Sequence, residues 1–186
     1  MRQGPRAVLA GVICIAIGCR SAGRAQTRVL DDRPVDSVVH LRPEGRVERR
    51  VIAEGLCGSP TFRSLVDAIQ RSDVIVYVSM RWLGDRRLRG RLDFLTVTAT
   101  NRVLRARFTF PLDRETRIAV LGHELQHAVE VAGAPGIRTR VAFAAYYRAH
   151  GQPARIESAY DSDAARRVEV QIRVELARAA PCSADR

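Results

Sequence analysis

The run Glu115-Thr-Arg-Ile-Ala-Val-Leu-Gly-His-Glu-Leu-Gln-His-Ala-Val-Glu-Val-Ala132 constrains this chain more than any other stretch. Apolar residues at Ile118, Leu121, Leu125, Ala128, Val129 and Ala132 recur at helical spacing, so the segment predicts one amphipathic helix. Within it, His123 and His127 stand four positions apart, a little over one turn, and their imidazoles project side by side. Such a pair can share one metal ion. Glu124 sits one step round the helix, where it can reach a metal-bound water without binding the metal, the position of a general base.

The rest of the composition narrows the setting. With 186 residues and 46% hydrophobic content the chain can bury one domain-sized core. The formal charge of +11 suggests nucleic acid, but every one of the 31 basic residues is arginine, they are spread along the sequence, and aromatics make up only 5%. A phosphate-binding face normally mixes arginine with lysine, so no nucleic-acid partner is expected. Residues 1–25 read as an export signal: Arg2 and Arg6, an apolar run from Ala7 to Ile17, then small residues up to Ala25. Removal after Ala25 leaves a mature charge of +7. Ala16-Ile17-Gly18-Cys19 offers a second outcome, a lipoprotein signal with Cys19 as the lipid anchor. Both place the protein outside the cytoplasm, in the periplasm or beyond. Cys57 and Cys182 then remain, one before the first predicted helix and one after the last, and an oxidising compartment favours a disulfide between them.

Along the chain, residues 26–58 read as an irregular N-terminal arm, with turn signals at Asp31-Asp32-Arg33-Pro34 and Arg42-Pro43-Glu44-Gly45 and short strand-like stretches at 35–41 and 50–53. Residues 59–186 form the expected domain. Ser59-Pro60 caps a helix reaching about Arg71. Asp73 to Met80 is a branched apolar run of interior-strand type, and Leu92–Ala99 with Arg102–Phe110 reads as a hairpin. Asp113 opens the motif helix and Gly133 with Pro135 closes it; further helices are expected at Thr139–Ala149 and from Arg155 to Ala179. The fold class is α+β, a small sheet with helices packed on it.

Two histidines leave a catalytic zinc site one protein ligand short. His40 and His150 are candidates, but a carboxylate on the last helix is better placed. Gly122 to Ala132 (GHELQHAVEVA) and Tyr160 to Leu176 carry a resemblance to the zincin metallopeptidases of the gluzincin type, and more narrowly to a group of small exported bacterial proteins, over roughly Leu65 to Leu176. The resemblance implies a zinc ligand from the later helix. Aligned on Ala164-Ala165 and Glu175-Leu176, Asp161 stands where that group has its ligand glutamate. Glu157 is the alternative ligand, since Glu157-Ser-Ala-Tyr-Asp161 also fits the gluzincin pattern, in which the aspartate supports a histidine instead. Glu130 is a candidate support for His127.

The resemblance further implies one Zn²⁺ per chain, a monomer, and hydrolysis of a peptide or protein substrate with Glu124 activating zinc-bound water. Tyr146, Tyr147, His150 and Tyr160 are candidate donors to the developing oxyanion. Substrate would add as a strand at the hairpin's edge. The rival expectation is a non-catalytic envelope protein of the same fold, although a purely structural site has no need of Glu124.

Overall fold

A computed structural model of the protein describes residues 39–153 and 160–180. The expected export signal, Glu157 and Cys182 lie outside the described residues. The fold is α+β. Its order is β1 (Leu41–Pro43), α1 (Arg46–Gly58), α2 (Pro60–Gln70), β2 (Val74–Met80), β3 (Gly90–Val97), β4 (Arg102–Phe108), α3 (Arg114–Gly133), α4 (Arg140–His150), β5 (Gln152–Pro153), β6 (Tyr160–Asp161) and α5 (Asp163–Arg178). No helix among the described residues is long and apolar enough to cross a membrane.

The main sheet has the order β1-β2-β4-β3. β2 is parallel to both neighbours, and its near-continuous Val/Ile/Tyr sequence suits a strand paired on both sides. β3 and β4 form the expected antiparallel hairpin, leaving β3 at the edge, with a bulge between Phe94 and Thr96. Alternation assigns the two faces. Leu41, Val76, Val78, Leu104, Ala106, Phe108, Leu92 and Phe94 are buried beneath the helices, while Arg42, Tyr77, Arg105 and Asp93 share one row of the opposite face.

Residues 41–58 correct the expected irregular arm. They form β1 and α1, so the stretch 50–53 is helical, not strand-like. Val51, Ile52 and Gly55 face inward, but so do two acids, which disguises the apolar stripe. Glu48 accepts from the Met80 amide (2.7 Å) and Glu54 pairs with Arg50 and Arg114 (2.9 Å each). Cys57, near the end of α1, is disulfide-bonded.

The motif helix α3 lies between the sheet and α5, and both of its ends are fixed. Asp113 caps the start, accepting from the Thr116 amide (2.8 Å) and hydroxyl (2.6 Å). At the other end Arg102, fully buried on β4, donates to the carbonyls of Val131, Ala132 and Ala134 while its fork grips Asp73. A guanidinium there satisfies carbonyls the helix leaves open and complements its negative end. Gly122 permits the close approach of α5: a Cβ at that position would collide with Ile172.

The last helix starts later than its sequence suggests. Asp161 is on β6, paired with Gln152 of β5, and α5 begins only after Ser162, whose hydroxyl accepts from the Ala165 amide (3.0 Å). The Ser162-Asp163 sequence supplies a cap and a first-turn acid, and a capped start outweighs apolar spacing. The helix-face argument linking Glu157 to Asp161 therefore fails.

Candidate metal centre

Three side chains from two distant segments converge. His123 and His127 come from consecutive turns of α3, with ring centroids 5.0 Å apart, and Asp161 arrives from β6. One ligand atom from each lies within 4.8 Å of the others, a grouping that could hold a metal ion. Asp161 Oδ1 is 3.1 Å from His123 Nε2 and 3.4 Å from His127 Nε2. Yet this oxygen is buried and makes no aligned hydrogen bond.

Each imidazole is backed by a carboxylate on its other nitrogen. His127 Nδ1 lies 2.9 Å from Glu130 Oε2, and Glu130 also accepts from Tyr147 (3.1 Å) and Ser162 (2.5 Å). Ser162 thus serves twice, capping α5 and tying the segment after Asp161 to the support of His127. His123 Nδ1 lies 3.3 Å from Glu169 Oε2, off the N–H direction, so the contact is electrostatic in the main. Arg89, before β3, and Arg173 hold Glu169 at 3.0 Å each, and Arg166 holds Asp161 Oδ2 at 3.0 Å. Carboxylate partners of this kind set ring orientation and make a ligating imidazole more basic.

Glu124 is buried beside the pair. Its carboxylate lies under the start of the edge strand, where only a glycine fits: a Cβ on Gly90 would overlap Glu124 Oε1 and Val120. Burial raises its pKa, partly offset by His127 and His123. Four carboxylates (Glu124, Glu130, Asp161, Glu169) thus surround two imidazoles. Burial works against charge on His123, but Asp161 and Glu169 overcome it and hold the ring's pKa up at about 10. His127, likewise opposed by burial, is raised to about 9 by Asp161 and Glu130. Asp161, despite burial, is kept far below the usual carboxylate range by both histidines and Arg166. Glu169 falls to about 2, chiefly through His123 against the cost of burial. The cluster demands positive charge at its centre, which protons or a metal ion can meet.

No protein-family model matches the chain, and no solved structure matches it. The functional reading therefore rests on these residues.

The structure brings His123, Glu124, His127 and Asp161 together and gives Glu130 the supporting role. Of the four proposed oxyanion donors, Tyr146, Tyr147 and His150 pack together. Tyr147 is buried and its hydroxyl is committed to the His127 carbonyl (3.1 Å) and Glu130, so it positions His127. Burial and Glu130 push its pKa well above the ordinary phenol value. Tyr146 stacks on His150 (4.5 Å between centroids), and neither these two nor Tyr160 hydrogen-bonds to a side chain of the centre. His40, with its amide bonded to Gln70 and its ring to the Ile69 carbonyl (3.2 Å), belongs to the α2–β1 packing. Glu169 has no part in the sequence reading, although a signal exists: it shares a helix face with Ala165, Ile172 and Leu176, and an acid on a core stripe needs a partner. Gly90 and Arg89 carry no comparable signal.

Proposed function

We propose that the chain is a zinc-dependent peptidase of zincin type, with His123, His127 and Asp161 holding the ion. The observation that carries the reading is the buried Asp161 oxygen, 3.1 and 3.4 Å from two imidazole nitrogens without an aligned bond to either. Zinc bonds of about 2.0–2.1 Å to nitrogen and oxygen in a tetrahedron give ligand-to-ligand distances of about 3.3 Å. Two nitrogens with one oxygen form a donor set zinc favours, and three protein ligands are the number that catalytic sites use.

When bound, zinc supplies a Lewis acid that polarises water and a substrate carbonyl. The chain's own residues do the rest. Glu124, packed close to Gly90 in a buried site that raises its proton affinity, accepts a proton from the attacking water and returns it to the leaving amine nitrogen. Glu130 orients the His127 ring and Glu169 lies against His123; Arg89 and Arg173 keep Glu169 ionised, and Arg166 does the same for Asp161. Strand β3 presents an open edge from Gly90 onward beside Glu124, to which an extended peptide can add as a further strand. Farther along, the Phe94 carbonyl is taken by Arg140 (3.1 Å), so the usable edge is the end nearest the base. The substrate is a peptide or protein met outside the cytoplasm by an exported, monomeric enzyme.

Glu124→Gln separates this reading from a non-catalytic zinc protein. The variant is expected to keep its zinc and lose roughly 10²–10⁴-fold in peptide hydrolysis, the usual worth of a general base. Equal hydrolysis by both proteins would remove Glu124 from the chemistry.

A further inference from the structure

Behind His127, one imidazole ring away from the converging ligand atoms, lies a pocket of about 260 Å³ lined by Glu130, Tyr146, Tyr147, His150, Gln152 and Asp163. Its volume suits one side chain and is small for a whole ligand of drug size. Its chemistry runs against the rest of the molecule. In a chain with 31 arginines and a charge of +11, the described residues that line the pocket include two carboxylates and no arginine.

The polar groups facing it are mainly acceptors. Glu130 accepts from His127, Tyr147 and Ser162, and a carboxylate has about four acceptor positions. Asp163 is largely exposed and, among the described residues, pairs with Arg166 at 3.5 Å. His150 donates through Nδ1 to the Tyr146 carbonyl (2.9 Å), so Nε2 of the neutral ring is an acceptor. Tyr146 and Tyr147, edge to face at 5.2 Å, add aromatic faces, on which a guanidinium or ammonium group is attracted.

We propose that this pocket receives the cationic side chain of an arginine or lysine adjacent to the bond cleaved, making the enzyme selective for basic sites in its substrate. The inference rests on the peptidase reading for its role and on the pocket alone for its ligand. An acidic side chain would meet the like charges of Glu130 and Asp163, and an aliphatic one would pair with neither.

The test titrates the zinc-loaded protein with N-acetyl-arginine amide, N-acetyl-norleucine amide and N-acetyl-glutamate amide, followed by NMR, and digests a peptide mixture with the same protein. The arginine compound should bind at least about fivefold more tightly than the norleucine compound, from the charge pairs and aromatic faces together. That preference should shrink in Asp163→Asn and in Tyr146→Leu, and cleavage should concentrate beside arginine and lysine. Norleucine binding as tightly as arginine, or cleavage indifferent to basic residues, would overturn the assignment and leave the peptidase standing. Selective arginine binding with no peptide cleaved would uphold the cationic pocket and defeat the peptidase instead.

Discussion

The chemistry of this protein turns on how few atoms separate a ligand set from an ordinary ion-pair cluster. His123, His127 and Asp161 would form a plain buried salt-bridge network if Asp161 were aligned on either ring; instead its Oδ1 stands between both nitrogens without a proper hydrogen bond. Glu124 is set apart from that trio by its contact with the backbone at Gly90. Gly90→Ala therefore tests its role at the smallest scale. The added methyl must displace the Glu124 carboxylate or the strand, so hydrolysis should fall by about tenfold or more, as misplacing a catalytic group does, while zinc content stays at the wild-type level. Unchanged activity would mean that the Glu124 position is not critical. Of these residues, the two histidines and Glu124 are legible from spacing, because helical geometry alone brings positions i and i+4 together. Asp161 is reached only through the resemblance. Gly90 and Glu169 are brought to the site by tertiary contacts that leave little pattern in the chain.

At the scale of elements, α3 is held in register by Asp113 at one end and Arg102 at the other. Arg102 joins β4, the Asp73 carboxylate before β2 and the helix carbonyls through one buried group. Arg102→Ala should destabilise the fold by about 1–3 kcal/mol, the range for leaving buried acceptors unsatisfied, since Asp73 is itself partly exposed; denaturant unfolding reads the loss. A loss under 1 kcal/mol would show that the helix end needs no such support. A second anchor ties α5 to α2. Glu175 accepts from the Ser59 and Thr61 hydroxyls (2.5 and 2.7 Å) and the Thr61 amide (3.0 Å). Burial raises its pKa, but these hydrogen bonds and Gln171 lower it further, leaving it below the ordinary value of 4.5. A carboxylate depressed in the folded state stabilises above its unfolded pKa, and that stability is lost as pH falls through the folded one. The stability gap between wild type and Glu175→Gln should therefore be full at pH 7 and close progressively below about pH 4.5. A gap that widened with acidification would contradict the sign. Strands β2, β3 and β4 and helices α2, α3 and α4 are readable from periodicity and caps. α1 is not, because Glu48 and Glu54 occupy its buried side, and the start of α5 is not, because Ser162 stops a pattern that apolar spacing extends.

Across the whole molecule, the centre depends on long-range assembly. Asp161 reaches α3 only because Gly122 lets α5 pack closely and Ser162 bonds to Glu130. The parallel pairing of β1 with β2 is invisible in the sequence, since its partners lie on either side of two helices. The fold class and hairpin are legible; the mixed sheet and the route of Asp161 into the site come from packing. The same packing surrounds the two histidines with four carboxylates inside an otherwise basic chain, a charge arrangement suited to a divalent cation. Zinc analysis of the purified protein after metal-replete preparation, wild type beside Asp161→Ala and Glu157→Ala, measures this most directly. One zinc per chain is expected in wild type and in Glu157→Ala, with none retained by Asp161→Ala. No zinc in wild type, or a full complement in Asp161→Ala, would contradict the site as assigned.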